Sequence, residues 1–538
     1  MRQLAALLAT CGLIACSSSP PSTPVKTGEF KVVDGFIGGV AADEPQATLI
    51  GRDILANGGT AADAVTAMYF AMAVTLPSQA TLGGGGLCLA FDAKRHEVRA
   101  IKFPATAPEV VPQTADRPSA VPANVRGFYV LHAQYGRLRW SQVLGPADSL
   151  ARFGFQVSRA LASDVAEVRQ ALGAEPTFRR VFAGSGADGL VREGDHLVQL
   201  DLAALLSRLR TEGPGALYAG TGASSFVDAV HAVGGSIERS DLDRVKPQIE
   251  QTVTVPTGRN TAHFASPPPD GSGIAAQMWA MLVDGDRYED AASGERQHLL
   301  IETAARAFAD RGTWPAPRPA GATTAEEPPA PVSRRHIDAL MADYRRDRAT
   351  APAAAGKPQP ENPAAATMVA TDRDGNAAAC VVTPNSLFGT GRITPGSGVL
   401  LASLPGTGGR GGTMLAPMLV VNDAGTQFFF AGAAAGGVAA PTALVEVAAR
   451  SLLADEPLEQ AIAGKRVHGG SDPRTAYAEE GLPAGVLADL RGRGHKVALT
   501  PALGRVSAVA CAKGNPTYSQ TCAAVADTRT YGLSATGR

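Results

Sequence analysis

Asn362-Pro363-Ala364-Ala365-Ala366-Thr367-Met368-Val369-Ala370-Thr371-Asp372-Arg373-Asp374-Gly375-Asn376, followed by the run from Ala377 to Thr383, is the stretch on which the reading of this chain turns. Two runs of small and β-branched residues flank Asp374-Gly375, a dipeptide that accepts the positive φ angles of a tight turn, so the stretch reads as a β-hairpin. Upstream, 313–366 is rich in Pro, Ala and charge apart from a short helical pattern around 337–346. That composition cannot bury enough apolar surface to fold by itself and reads as a connector. Downstream, a second hairpin is expected over 417–432 around Asp423-Ala424-Gly425, then helices near 440–453 and 484–493 and a final pair of strands.

The chain of 538 residues, 45% hydrophobic, can bury one large core or two to three ordinary ones. Lys plus Arg (49) nearly balances Asp plus Glu (50), which leaves no long-range field to favour nucleic acid or anionic lipid. The first sixteen residues differ from the rest: Arg2 precedes an apolar run, and Leu13-Ile14-Ala15-Cys16 resembles a bacterial lipoprotein cleavage box. Residues 1–16 are thus expected to be a leader with Cys16 as the lipidated residue, and 17–34, rich in Ser and Pro, a tether at the cell envelope. The membrane is expected to be met only through that anchor. In an exported protein cysteines can pair. Cys511 and Cys522 flank the turn signal Gly514-Asn515-Pro516 and are expected to form a disulfide, whereas Cys88 and Cys380 sit inside apolar, strand-like runs. No Cys or His grouping has the spacing of a zinc site, so no metal or cofactor is expected.

Read from its start, the chain offers a strand near 35–42, a helix over 46–56 stopped by Asn57-Gly58-Gly59, and a second helix over 60–74 with Thr60 as its N-cap. Four consecutive glycines, 83–86, then lead into an apolar run; a buried backbone passing close to another element would need them. These blocks, in order, together with Tyr135-Gly136, Trp140, 151–155, Gly213-Pro214, Phe308-Ala309-Asp310-Arg311 and the Asp372-x-Asp-Gly-Asn turn, resemble the γ-glutamyltranspeptidases. The resemblance covers about residues 35 to 530. It implies an N-terminal-nucleophile hydrolase fold of mixed α and β structure: a four-layer αββα sandwich built jointly by a large-subunit-like region, 35–312, and a small-subunit-like region, 367–538.

In that family the precursor is cut just before a Thr that opens the hairpin's first strand. The new N-terminal residue supplies the nucleophilic hydroxyl, and its α-amine, with a pKa near ~8, supplies the base. Members split glutathione-like γ-glutamyl amides. With the turn as anchor, the matching position here is Ala365, which can do neither step. The family's carboxylate-clamping Arg falls on Pro104, and the acid that receives the substrate amine falls on Thr407. Absence of either charged group costs on the order of 2 to 5 kcal/mol of binding. Thr383 and Asn385 match the residues that orient the nucleophile and contact substrate, and Gly436-Gly437 match the oxyanion-binding N–H pair. Thr is common in strands and Gly-Gly before helices, so these four also fit a purely structural role.

Two readings follow. One is a non-catalytic member that takes a small-molecule or peptide ligand. The other is an amidohydrolase that uses Thr367, which shares a strand face with Ala365 but lies ~7 Å further along. Beside these stands a γ-glutamyl enzyme whose clamping Arg and acid are relocated, with Arg392 and Arg410 as the candidates for the clamp.

Overall fold

The computed structural model describes residues 35–113, 115, 117–267, 269–311, 314, 331–351, 364–406, 414–470 and 475–537. Cys16, the tether, Thr407, Arg410 and most of the expected connector lie outside them. Thirteen strands build two large sheets. In chain order they are β1 (Gly38–Ala42), β2 (Gly85–Asp92), β3 (Glu97–Phe103), β4 (Gln248–Gln251), β5 (Val253–Thr257), β6 (Asn260–Phe264), β7 (Ala366–Asp372), β8 (Ala377–Thr383), β9 (Ala416–Asn422), β10 (Phe428–Ala435), β11 (Arg505–Asn515), β12 (Cys522–Val525) and β13 (Leu533–Gly537). The first sheet runs β13-β1-β7-β8-β2-β3-β4 and the second β12-β11-β10-β9-β6-β5. Each sheet draws strands from both sides of the connector.

The expected hairpin is the antiparallel pair β7–β8, with Val381 opposite Thr367 and Val382 opposite Ala366. Alternate residues of β7 face different layers. Ala366, Met368 and Ala370 point into a core shared with the helices α1 (Pro45–Ala56) and α2 (Ala61–Thr75), whereas Ala365 and Val369 join Leu419, Ala433 and Val509 between the two sheets. A third core lies beyond the second sheet, beneath α3 (Asp270–Val283), α4 (Ser293–Asp310) and α6 (Ala440–Leu453). The fold is the αββα sandwich that the sequence implied.

α2 is apolar all round, and every one of its residues is buried, as a helix enclosed on all sides must be. Its N-terminus is closed by a capping box in which Thr60 accepts from the Asp63 N–H and Asp63 from the Thr60 N–H. Asp372 adds a third tie. Its carboxylate accepts from the Ala61 N–H at 2.9 Å, and from Asp374 N–H (2.9 Å) and Asn376 N–H (3.1 Å) inside the hairpin turn. The turn and the helix start are thus held by one side chain.

Helices α5 (Arg334–Met341) and α7 (Ala484–Gly492) complete the elements used below. Two features differ from the sequence reading. The chain ends not on the pair β11–β12 but on a further strand, β13, which crosses to the first sheet and pairs with β1. Cys88 and Cys380 lie opposite each other on β2 and β8 and are bonded, as are Cys511 and Cys522. The first pair is separated by 292 residues, so no local turn announced it.

A peptide map of unreduced protein should recover both cross-linked pairs. In the chain-entropy account, replacing Cys88 and Cys380 by Ala should cost up to ~5 kcal/mol in urea unfolding, more than the ~3 kcal/mol for the short Cys511–Cys522 loop. Burial pushes the Asp372 pKa from 3.8 up to about 6 against the pull of its N–H donors. A raised carboxyl pKa contributes stability below 3.8 that is lost as pH rises to about 6. Asp372→Asn should therefore flatten the stability–pH curve in that window.

Candidate functional site

The glycine run sets the site's frame by bringing three loop segments to the open end of the hairpin. A Cβ on Gly83 would lie 2.4 Å from the Leu400 carbonyl oxygen, one on Gly84 2.5 Å from the Thr383 oxygen, and one on Gly85 1.9 Å from the Ala105 nitrogen. Only glycine fits such an approach. The segment after β3, the end of β8 and the Leu400–Leu401 strand piece therefore meet beside Ala365. Pro104 stands exposed in the first of these, directly after β3, and offers no charge and no N–H.

Ala364 and Ala365 lead into β7, and both are buried. The Thr383 hydroxyl donates to the Ala364 carbonyl oxygen at 2.5 Å. It also accepts from the Asn385 N–H at 2.9 Å, while Asn385 Nδ2 donates to the Ser403 carbonyl at 2.9 Å. Asn385 adopts φ +65°, a left-handed conformation that asparagine tolerates better than most residues. Thr383 and Asn385 thus act as one unit that ties the end of β8 to the peptide preceding Ala365 and to the 400–403 segment.

Arg505, which the sequence did not single out, sits on the other side. Its Nη2 donates to the Ala365 carbonyl at 3.0 Å and to Gln79 Oε1 at 3.3 Å. Gln79 and Ser78 both donate to Asp164 Oδ2, at 2.7 and 2.6 Å, and burial pushes the Asp164 pKa up. Arg505 pairs across the sheet with Ala435, the residue before Gly436, so the Gly436-Gly437 turn lies one strand away from Ala365. Both glycines have positive φ, +118° and +61°, and lead through a short 3₁₀ turn into α6.

Thr367 lies deeper. It is fully buried between the sheets; its N–H donates to Asp43 Oδ2 at 2.8 Å, and its hydroxyl lies 3.0 Å from the same oxygen and 2.8 Å from Ser507 Oγ. Burial raises the Asp43 pKa. Arg392, one of the two arginines considered as a relocated clamp, lies against Gly234. Asp43, Gln79, Asp164 and the β11 pair Arg505 and Ser507 carried no signal in the sequence because they lie far along the chain from the hairpin.

A family model described as Gamma-glutamyltranspeptidase matches residues 47–537. The chain belongs to the γ-glutamyltranspeptidase family. It is 28% identical over 558 residues to the glutathione hydrolase proenzyme of Escherichia coli strain K12, covering 94% of each chain. It is 30% identical over 530 residues to the acylase ACY 1 proenzyme of Pseudomonas sp. strain V22, covering 90% of this chain and 91% of that one. Among solved structures, cephalosporin acylase from Bacillus halodurans superposes with a TM-score of 0.78 over 96% of this chain and 99% of that one, at 20% identity. That likeness speaks to the fold, an N-terminal-nucleophile hydrolase sandwich of the γ-glutamyltranspeptidase and acylase kind. No helix among the described residues is long and apolar enough to cross a membrane.

Thr367→Val keeps the shape and removes the hydroxyl shared by Asp43 and Ser507. It should lower unfolding free energy by about 1 to 3 kcal/mol, read from urea melts monitored by circular dichroism.

Proposed function

We propose that this γ-glutamyltranspeptidase-family chain is an exported, lipid-anchored protein that neither cleaves itself nor transfers γ-glutamyl groups. In this reading it holds a small-molecule or peptide ligand at the remnant of the family's site. The observation that carries the reading is the Thr383 hydroxyl on the Ala364 carbonyl, immediately ahead of Ala365. The group that resembles the family's nucleophile-orienting threonine is bonded to the carbonyl just before a residue that offers only a methyl. Alanine has no hydroxyl to attack the preceding carbonyl, and without that attack no α-amine would be freed at this position. Pro104 supports the same reading, since it cannot clamp a carboxylate.

Thr367 is poorly suited to take over. Attack by its hydroxyl would break its bonds to Asp43 and Ser507 inside a closed, two-sheet core. Export through a leader ending at Cys16 is supported by the disulfides: the four cysteines beyond the leader are all paired, as suits an oxidising compartment.

The test is a reducing denaturing gel of the purified chain made without residues 1–16, with intact mass of each band and an assay on a γ-glutamyl anilide. Reduction is essential because Cys88 and Cys380 would hold two fragments together after a cut in the connector. One intact chain and no anilide turnover are expected. A fragment beginning at Ala365 or Thr367, or turnover above a heat-treated control, would overturn the proposal.

A further inference from the structure

On the outer helix layer of the second sheet, α4 places His298 and Glu302 one turn apart on the same face, both buried. His495, half-buried in the loop after α7, closes on them from 197 residues away. His298 Nδ1 lies 2.7 Å from His495 Nε2, and one ligating atom from each of the three residues falls within 4.8 Å of the others. Three further contacts prepare this group. His298 Nε2 is 2.9 Å from the Arg345 carbonyl oxygen, which only accepts, so Nε2 carries the proton and Nδ1 presents its lone pair. The Tyr344 ring stacks on His298 and holds its plane. Among the described residues, Arg306 Nη1, the Thr350 N–H and the Thr350 hydroxyl all donate to Oε2 of Glu302, so Oε1 is the carboxylate oxygen proposed to meet an ion. Arg306 also pairs with Asp343, so its charge is shared rather than directed at Glu302 alone.

We propose that His298, Glu302 and His495 form a structural site for a divalent first-row ion of the zinc class, with water in the fourth position. Two imidazole nitrogens and one carboxylate oxygen suit such an ion, and a backbone carbonyl behind a ligating imidazole is the usual way its ring is oriented. A tetrahedral ion at about 2.05 Å holds neighbouring nitrogens ~3.3 Å apart. The two rings therefore open by roughly half an ångström when the ion replaces the proton between them, a shift that the His495 loop can supply. Arg345 and Thr350 belong to the described middle part, 331–351, of the expected connector. The ion consequently fixes that part of the connector to α4, a role independent of whether the γ-glutamyl site is active.

The tag-free chain, stripped with chelator, is titrated with ZnCl2 by calorimetry and melted with and without the ion; the Co2+-loaded protein is read by visible absorption. Expected are one equivalent of Zn2+, a raised Tm, and a Co2+ spectrum of tetrahedral intensity. His495→Gln, a change in a half-buried loop, should weaken binding at least about tenfold and abolish the Tm rise. No saturable binding of Zn2+ by the parent chain, or binding and Tm shift retained in His495→Gln, would overturn the proposal. An octahedral Co2+ spectrum of the parent would do so without any variant.

Discussion

The carboxylate of Asp372 joins the two parts of the molecule on which everything else is built. It closes the β7–β8 turn by accepting from Asp374 and Asn376, and it accepts the first N–H of α2, a helix that supplies much of the core beneath the first sheet. The Asn515 side chain, from β11, donates to the Asp372 carbonyl and thereby brings the second sheet to the same turn. A buried carboxylate with several N–H donors is favourable only while all of them stay in place. The position of β7, and with it that of Ala365 and Thr367, follows from this one cluster.

At the other end of the hairpin the constraint is steric. Gly83, Gly84 and Gly85 let three backbone segments approach to distances that no side chain would permit, and the residues of the family's site would hang from those segments. The glycines gather these segments around Ala365, which carries a methyl, and Pro104, which carries neither charge nor N–H. Thr383 and Arg505 donate to the successive carbonyls of Ala364 and Ala365 and make this backbone part of the core's hydrogen-bonding. The retained groups thus have a structural role that does not depend on catalysis.

Much of this was legible in the residues themselves. The hairpin, the Thr60 cap, the paired helices before the glycine run and the Cys511–Cys522 bond all rest on interactions within a few residues, or a strand and its neighbour across a turn. Positions 365, 383, 385, 436 and 437 could be singled out because each has a fixed spacing from the Asp-x-Asp-Gly-Asn turn or the helix start. Residues that reach the site from elsewhere were not: Arg505 lies 140 positions from Ala365, and Asp43 lies 324 from Thr367.

The sequence by itself determined the family, the order of the elements and the identity of the groups at the hairpin, because hydrophobic period, turn chemistry and capping act over a few residues. The tertiary structure alone decided which distant groups meet. It paired Cys88 with Cys380, returned the last strand to the first sheet beside β1, and buried Thr367 against Asp43 and Ser507. It also set His298 against His495. Strand neighbours and inter-layer contacts are chosen by packing of whole faces, and no spacing along the chain records that choice.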